Sequence, residues 1–136
     1  MKKLFLALSA VILMTGIGAA AVIASAGGSN SLSVDASYSG KQVEISVGES
    51  LIVTLASNAS TGFSWRLAEN SDEVELQQSG HEYIAPKSTL LGASGKEVWT
   101  FKAIEKGTST IRLEYSRPWE GGVAPAQTFI LTVVAN

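Results

Sequence analysis

From Lys41 to the C-terminus apolar side chains recur at every second position, the period at which a β-strand turns alternate residues to one face. Val43, Ile45 and Val47 alternate with Gln42, Glu44 and Ser46, and after the turn Gly48-Glu49-Ser50 the pattern resumes at Leu51, Val53 and Leu55. Phe63, Trp65 and Leu67 alternate with Ser64 and Arg66. Trp99, Phe101 and Ala103 share one face, Glu105-Lys106-Gly107-Thr108 turns, and Ile111, Leu113 and Tyr115 follow; Phe129, Leu131 and Val133 close the chain. The stretch from Ala68 to Ala85 is the least regular, with Val74 and Leu76 marking one short strand and Glu82 to Ile84 another. No segment beyond the N-terminal apolar run carries a sustained helical stripe.

Short strands at near-regular spacing, separated by Gly, Asn, Ser and Pro, predict an all-β domain, an immunoglobulin-like antiparallel β-sandwich of about seven to eight strands. Its connections fall into two kinds. Gly48 to Ser50 and Glu105 to Thr108 are tight polar turns. Asn58 to Gly62, Pro86 to Lys96 and Arg117 to Gly122 are longer and unusual in composition. In a sandwich of alternating strand direction every second connection lies at the same end, so these three are expected to cluster, as binding loops do on such a scaffold.

The N-terminus has a different character. Of the 136 residues 46% are hydrophobic, and nineteen of those hydrophobic residues fall in the first 26 positions. Met1-Lys2-Lys3, an apolar run from Leu4 to Ile23, and the small-x-small site Ala24-Ser25-Ala26 have the form of a secretory signal cut after Ala26. The run is also long enough to span a bilayer as an uncleaved anchor, since about 20 apolar residues suffice. Either reading places the domain outside the cytoplasm: secreted, periplasmic or on the cell surface. Residues 27–40, rich in Ser and Gly, have the composition of a flexible linker, and the folded domain is expected over residues 41–136.

Without the leader and its two lysines the chain keeps 8 basic and 12 acidic side chains, an unsuitable balance for nucleic acid, which needs a basic face. The absence of cysteine excludes a disulfide scaffold, a thiolate metal site and a cysteine nucleophile. Catalysis is poorly supplied: His81 stands alone, no motif joins it to Ser60, and the acidic residues fall mostly on exposed strand positions. No spacing suggests a metal, and no cofactor or small-molecule substrate is expected. The chain is read as a non-enzyme, and nothing suggests an obligate dimer.

The three longer loops are composed for contact. Gly62, Gly92 and Gly95 permit positive φ or close approach of another backbone, as turns often require in any case. Asn58 is suited to tie its own loop through a side-chain hydrogen bond. Arg117-Pro118-Trp119 places an indole in a loop, where either local packing or a partner accounts for it. Trp65 and Trp99 lie in phase with buried faces and are expected in the core.

Together these loops resemble the chagasin family of cysteine-protease inhibitors. The family's first loop, Asn-Pro-Thr-Thr-Gly followed by Tyr or Phe, is matched by Asn58-Ala59-Ser60-Thr61-Gly62-Phe63. Its Gly-x-Gly-Gly loop is matched at all but one glycine by Gly92-Ala93-Ser94-Gly95, after Leu90-Leu91, and its Arg-Pro-Trp or Phe by Arg117-Pro118-Trp119. The resemblance implies a reversible, non-covalent inhibitor of papain-like cysteine proteases that inserts three clustered loops into the active-site cleft. Thr61 and Gly62 would lie against the catalytic pair, with Leu91 to Gly95 and Arg117 to Trp119 on either side. Ala59 replaces the family's proline, Ser60 its first threonine and Ser94 a frequent glycine, which bears on potency and target range. The competing reading is a non-inhibitory immunoglobulin-like binding or adhesion module displayed at the cell surface.

Overall fold

The computed structural model describes residues 22–25, 31–72, 75–87 and 93–136. Among them nine strands form two sheets: β1 (Val22–Ser25), β2 (Ser31–Val34), β3 (Lys41–Ile45), β4 (Ser50–Ser57), β5 (Ser64–Leu67), β6 (Leu76–Ile84), β7 (Gly95–Ala103), β8 (Gly107–Ser116) and β9 (Gln127–Ala135). One sheet runs β1-β3-β9-β8-β5 and the other β2-β4-β7-β6. The ladders β4–β7, β6–β7, β5–β8 and β8–β9 are antiparallel, whereas β1–β3, β2–β4 and β3–β9 are parallel.

The period-two pattern becomes the core directly. Val43, Leu51, Val53, Phe101, Ile111, Leu113, Leu131 and Val133 are fully buried between the sheets, and Trp65 and Trp99 are buried with them. Burying each such side chain contributes about 1.5–3 kcal/mol relative to exposure. The alternation ends sooner than expected after Ile45: Val47 lies in the turn, 42% exposed, with its N–H donated to the Asn136 carbonyl at 3.0 Å. Of the irregular stretch, Val74 lies outside the described residues, and among those described there is one strand that takes in both Leu76 and Glu82 to Ile84. β6 runs unbroken from Leu76 to Ile84, and its register against β7 shifts between Gln78 and Gly80. Such a bulge flips the alternation midway and hides the period from the sequence.

The reading of residues 27–40 as a flexible linker is corrected for Ser31 to Gly40. β2 pairs in parallel with β4 over Ser31↔Ser50 to Val34↔Val53, Val34 is only 3% exposed, and Leu32 and Tyr38 pack on the core. The serines do backbone work here. Asp35 accepts from the Ser37 N–H at 2.9 Å and hydroxyl at 2.5 Å, capping a 3-10 turn over Ala36–Tyr38, and these bonds, the hydroxyl's first, hold its carboxyl below the ordinary carboxylate range. Ser39 Oγ accepts from Ile130 N–H at 3.0 Å, and Gly40, at φ 85°, donates to the Ile130 carbonyl at 2.6 Å. The predicted leader and the first residues of the linker lie outside the described residues except for β1, whose backbone follows β3.

Val34→Ala is expected to lower unfolding stability in urea by about 1–3 kcal/mol, the cost of an emptied core site. An unchanged midpoint would return this segment to the status of a tether.

Candidate functional site

Chain direction gathers the three longer connections at one end. β4, β6 and β8 arrive there, and β5, β7 and β9 leave. The register places Ser57, the last residue of β4, opposite Gly95, the first of β7, and Ser64 opposite Ser116. The roots of all three loops are thus neighbours.

The central loop is locked by its own side chains. Asn58 Oδ1 accepts from the Ser60 N–H at 3.2 Å and hydroxyl at 2.6 Å. Thr61 returns its N–H and its hydroxyl to the Asn58 carbonyl at 3.1 and 2.7 Å. The result is a 3-10 turn over Ala59–Thr61 that Gly62 ends at φ 82° with its N–H on the Ala59 carbonyl, a left-handed conformation that glycine adopts without strain. Ala59, Ser60 and Thr61 are exposed at the tip. At the root, Asn58 N–H donates to the Tyr115 hydroxyl at 2.9 Å. Phe63 stacks on the Tyr115 ring with centroids 5.2 Å apart.

The third loop leans on the first. Arg117 Nε donates to the Thr61 carbonyl at 3.1 Å, its guanidinium lies 4.4 Å above the Phe63 ring, and Glu120 holds its Nη1 at 3.5 Å. The Trp119 indole is 69% exposed, yet its edge sits against bare backbone: a Cβ placed on Gly62 would come within 2.3 Å of the ring. Local packing therefore accounts for one edge of Trp119, and its remaining surface faces solvent. Pro118 beside it is also exposed.

In the second loop Leu91 and Gly92 lie outside the described residues. Ala93 is half-buried, Ser94 is exposed with its hydroxyl on the Gly95 carbonyl at 3.3 Å, and Gly95 is buried. A Cβ at Gly95 would lie 2.4 Å from the Ile84 carbonyl and 2.6 Å from the Tyr83 hydroxyl. Close strand approach, not turn geometry, explains this glycine.

Beneath the loops lies a group that no sequence motif announces. Glu97 is 3% exposed. Its Oε2 accepts from the Ser57 hydroxyl at 2.6 Å and the Trp65 N–H at 3.0 Å, and its Oε1 takes the His81 Nε2–H at 2.7 Å. His81 stacks on Trp99 with centroids 3.7 Å apart. The expectation that acidic residues are mostly exposed therefore fails for Glu97, and also for Glu75, which is fully buried. The signal was available: position 97 is in phase with Trp99, Phe101 and Ala103. The hydroxyl that shares a partner with His81 is that of Ser57, whereas Ser60 bonds Asn58, and the order is wrong for nucleophilic catalysis. Serine and histidine bind different oxygens of one carboxylate, so the imidazole has no contact through which to take the hydroxyl proton.

An immunoglobulin-like sandwich that gathers a locked central loop with its two flanking connections at one end has the architecture on which binding loops are commonly carried. The family model "Chagasin family peptidase inhibitor I42" matches residues 44–133, and the chain belongs to this family of inhibitors, not to a family of enzymes. It is 31% identical over 106 residues to chagasin of Trypanosoma cruzi, covering 76% of this chain and 96% of chagasin. To amoebiasin-2 of Entamoeba histolytica it is 32% identical over 92 residues, 68% of this chain and 75% of that one. In structure it is similar to a crystallised cysteine protease inhibitor of Entamoeba histolytica, with a TM-score of 0.68 at 23% identity over 83% of this chain and 97% of that one. It is also similar to amebosin, whose solution structure gives a TM-score of 0.61 at 28% identity over 80% and 100% of the two chains.

Gly62→Ala is expected to force the indole off the loop and to cost about 1–2 kcal/mol for the left-handed backbone. The check is the indole N–H resonance of Trp119 together with the melting temperature; an unmoved resonance would mean that the ring does not rest on Gly62.

Proposed function

We propose that this protein is a reversible, non-covalent inhibitor of papain-like cysteine proteases, exported from the cell, that seats its three-loop end in the protease's active-site cleft. The observation that carries the reading is the locked tip, Asn58 to Gly62, buttressed by Arg117 and Trp119 from the third loop. Its residues are small and uncharged, so they enter a narrow cleft at little desolvation cost. Because the bonds that order the loop exist before binding, little loop entropy remains to be lost on docking. The curved 3-10 backbone resists cleavage, since hydrolysis requires a carbonyl in near-attack alignment with the nucleophile. The chain has no cysteine, so the reactive thiol belongs to the partner and no covalent bond is needed.

In this reading Thr61 and Gly62 lie against the catalytic cysteine and histidine, with Leu91 to Gly95 on one side and Arg117 to Trp119 on the other. An interface of about 1,600 Å² is typical of protease–inhibitor pairs. The exposed face of Trp119 supplies the kind of aromatic anchor that dominates such interfaces. One inhibitor molecule suffices for one protease, and no second copy is required.

Export rests on the apolar run from Leu4 to Ile23 and the Ala24-Ser25-Ala26 site. Cleavage after Ala26 would remove β1, while β3 would keep its ladder to β9. Sequencing the N-terminus of the exported protein distinguishes a chain beginning at Gly27 from an anchored one.

Titration of the exported protein against several papain-like enzymes is expected to give tight, reversible inhibition; none at micromolar concentration would overturn the function. Trp119→Ala is expected to raise the inhibition constant about 10–100-fold, roughly 1.4–2.8 kcal/mol, with little change in melting temperature. An unchanged constant in a folded variant would remove Trp119 from the interface.

A further inference from the structure

The central loop hangs between the two sheets. It leaves β4 in one and enters β5 at the edge of the other, so no ladder sets the distance between its ends. Glu97 supplies the missing link. Its single oxygen Oε2 accepts from Ser57, the residue before the loop, and from the Trp65 N–H just after it. Trp65 pairs with Tyr115 on its other side, and its indole N–H returns to the Ala56 carbonyl at 2.9 Å. The second oxygen is taken by His81 of β6, the strand leading into the second loop. A cleft of about 230 Å³ between the central loop and β6 is lined by Ala59, Phe63, His81 and Tyr83, with Ser57 and Glu97 at its wall.

We infer that Glu97 is a positioning residue for inhibition. By holding Ser57 and Trp65 on one oxygen it fixes the span of the central loop and hence the placement of Thr61 and Gly62, and through His81 it ties that span to the root of the second loop. The inference rests on the inhibitory reading for its consequence but not for its geometry. Ionised carboxylates only accept, and both oxygens here are committed to donors from three strands. Removing the carboxylate leaves Ser57, the Trp65 amide and His81 without their common partner, and the span of the loop is then left to the Trp65 indole on the Ala56 carbonyl and the Tyr115 hydroxyl on the Asn58 N–H, two longer and more pliable links. The Asn58 to Gly62 turn remains intact but is no longer held at one height.

The test compares Glu97→Leu, Glu97→Gln and Ser57→Ala with a core control at the far end of β9, Val133→Ala. Amide hydrogen exchange, read without any protease, is expected to show Trp65 and residues 58–63 losing protection in Glu97→Leu and, less so, in Ser57→Ala. Val133→Ala is expected to leave loop protection relative to the core unchanged. Against a papain-like protease the inhibition constant should rise about 10–100-fold for Glu97→Leu and a few-fold for Ser57→Ala, as loop-ordering cost returns to binding. Glu97→Gln, whose amide oxygen can still accept from Ser57 and Trp65 while its NH2 donates to His81 Nε2 once the imidazole carries its proton on Nδ1, should restore most of the potency. Val133→Ala should leave the constant unchanged even where its melting temperature falls as far. Unchanged loop exchange in both Glu97→Leu and Ser57→Ala would overturn the positioning role, as would a potency loss in Val133→Ala equal to that of Glu97→Leu. If Glu97→Leu does not fold, Ser57→Ala and Glu97→Gln decide by the same two measurements. Failure of the unmodified protein to inhibit would sink the functional reading, while the exchange data would still judge the geometry.

Discussion

A carboxylate taken out of water must be met by hydrogen-bond donors, since an unpaired buried charge costs several kcal/mol. At the loop end of this sandwich the donors for Glu97 come from β4, β5 and β6 at once. That requirement couples parts of the molecule that otherwise have no common ladder. β4 and β6 flank β7 in one sheet, whereas β5 is an edge strand of the other, and apolar packing alone would let the sheets slide by small amounts at little cost. Directional bonds to one carboxylate do not. The same bonds occupy an N–H of an edge strand, a group that would otherwise be open to pairing with another chain.

Above this anchor, rigidity is passed upward in short steps. Tyr115 contributes its hydroxyl to the Asn58 N–H and its ring to both Phe63 and Trp65, so the first residue of the loop and the first after it rest on one side chain of β8. Arg117, two residues beyond Tyr115, then reaches back over Phe63 to the Thr61 carbonyl. The third loop is thereby a brace for the first. Gly62 is indispensable to that brace for two reasons: its positive φ ends the turn, and its missing side chain leaves room for the Trp119 edge.

The sequence disclosed the features that repeat and concealed those that depend on a distant partner. Strands β3, β4, β5, β7, β8 and β9 follow from alternation alone, as does the burial of Trp65 and Trp99. β2 was hidden because its serine-rich composition resembles a tether; only the pairing with β4 and the pocket for Val34 give it a place. The pattern of β6 looks like two pieces because it is an edge strand, mostly exposed on both sides and interrupted by a bulge. Asn58 behaves as its residue type suggested, because an Asx turn is a local interaction. Glu97 could not be recognised the same way: its partners stand 40, 32 and 16 residues away. A charged residue in phase with a buried face was the one available sign.

The two ends of the sandwich treat buried charge differently. At the far end Glu75 is fully buried with Ser109 donating to its Oε2, while its Oε1 has no partner among the described residues. That carboxylate joins the residue before β6 to β8 through a single hydroxyl. At the loop end both oxygens of Glu97 are satisfied, and the central loop adds four further bonds within Asn58 to Thr61. This local bonding bears on Ala59, which stands where the family pattern has proline. Proline would limit the unfolded chain and contribute about 0.4–1 kcal/mol of order. A single well-made internal hydrogen bond contributes about 0.5–1.5 kcal/mol, and the bonds from Ser60 and Thr61 to Asn58 make no use of residue 59, so they order the turn whether or not a proline stands there. Order at the tip is therefore set by the asparagine and the two hydroxyl residues after Ala59, and below them by the carboxylate that fixes where the loop begins and ends.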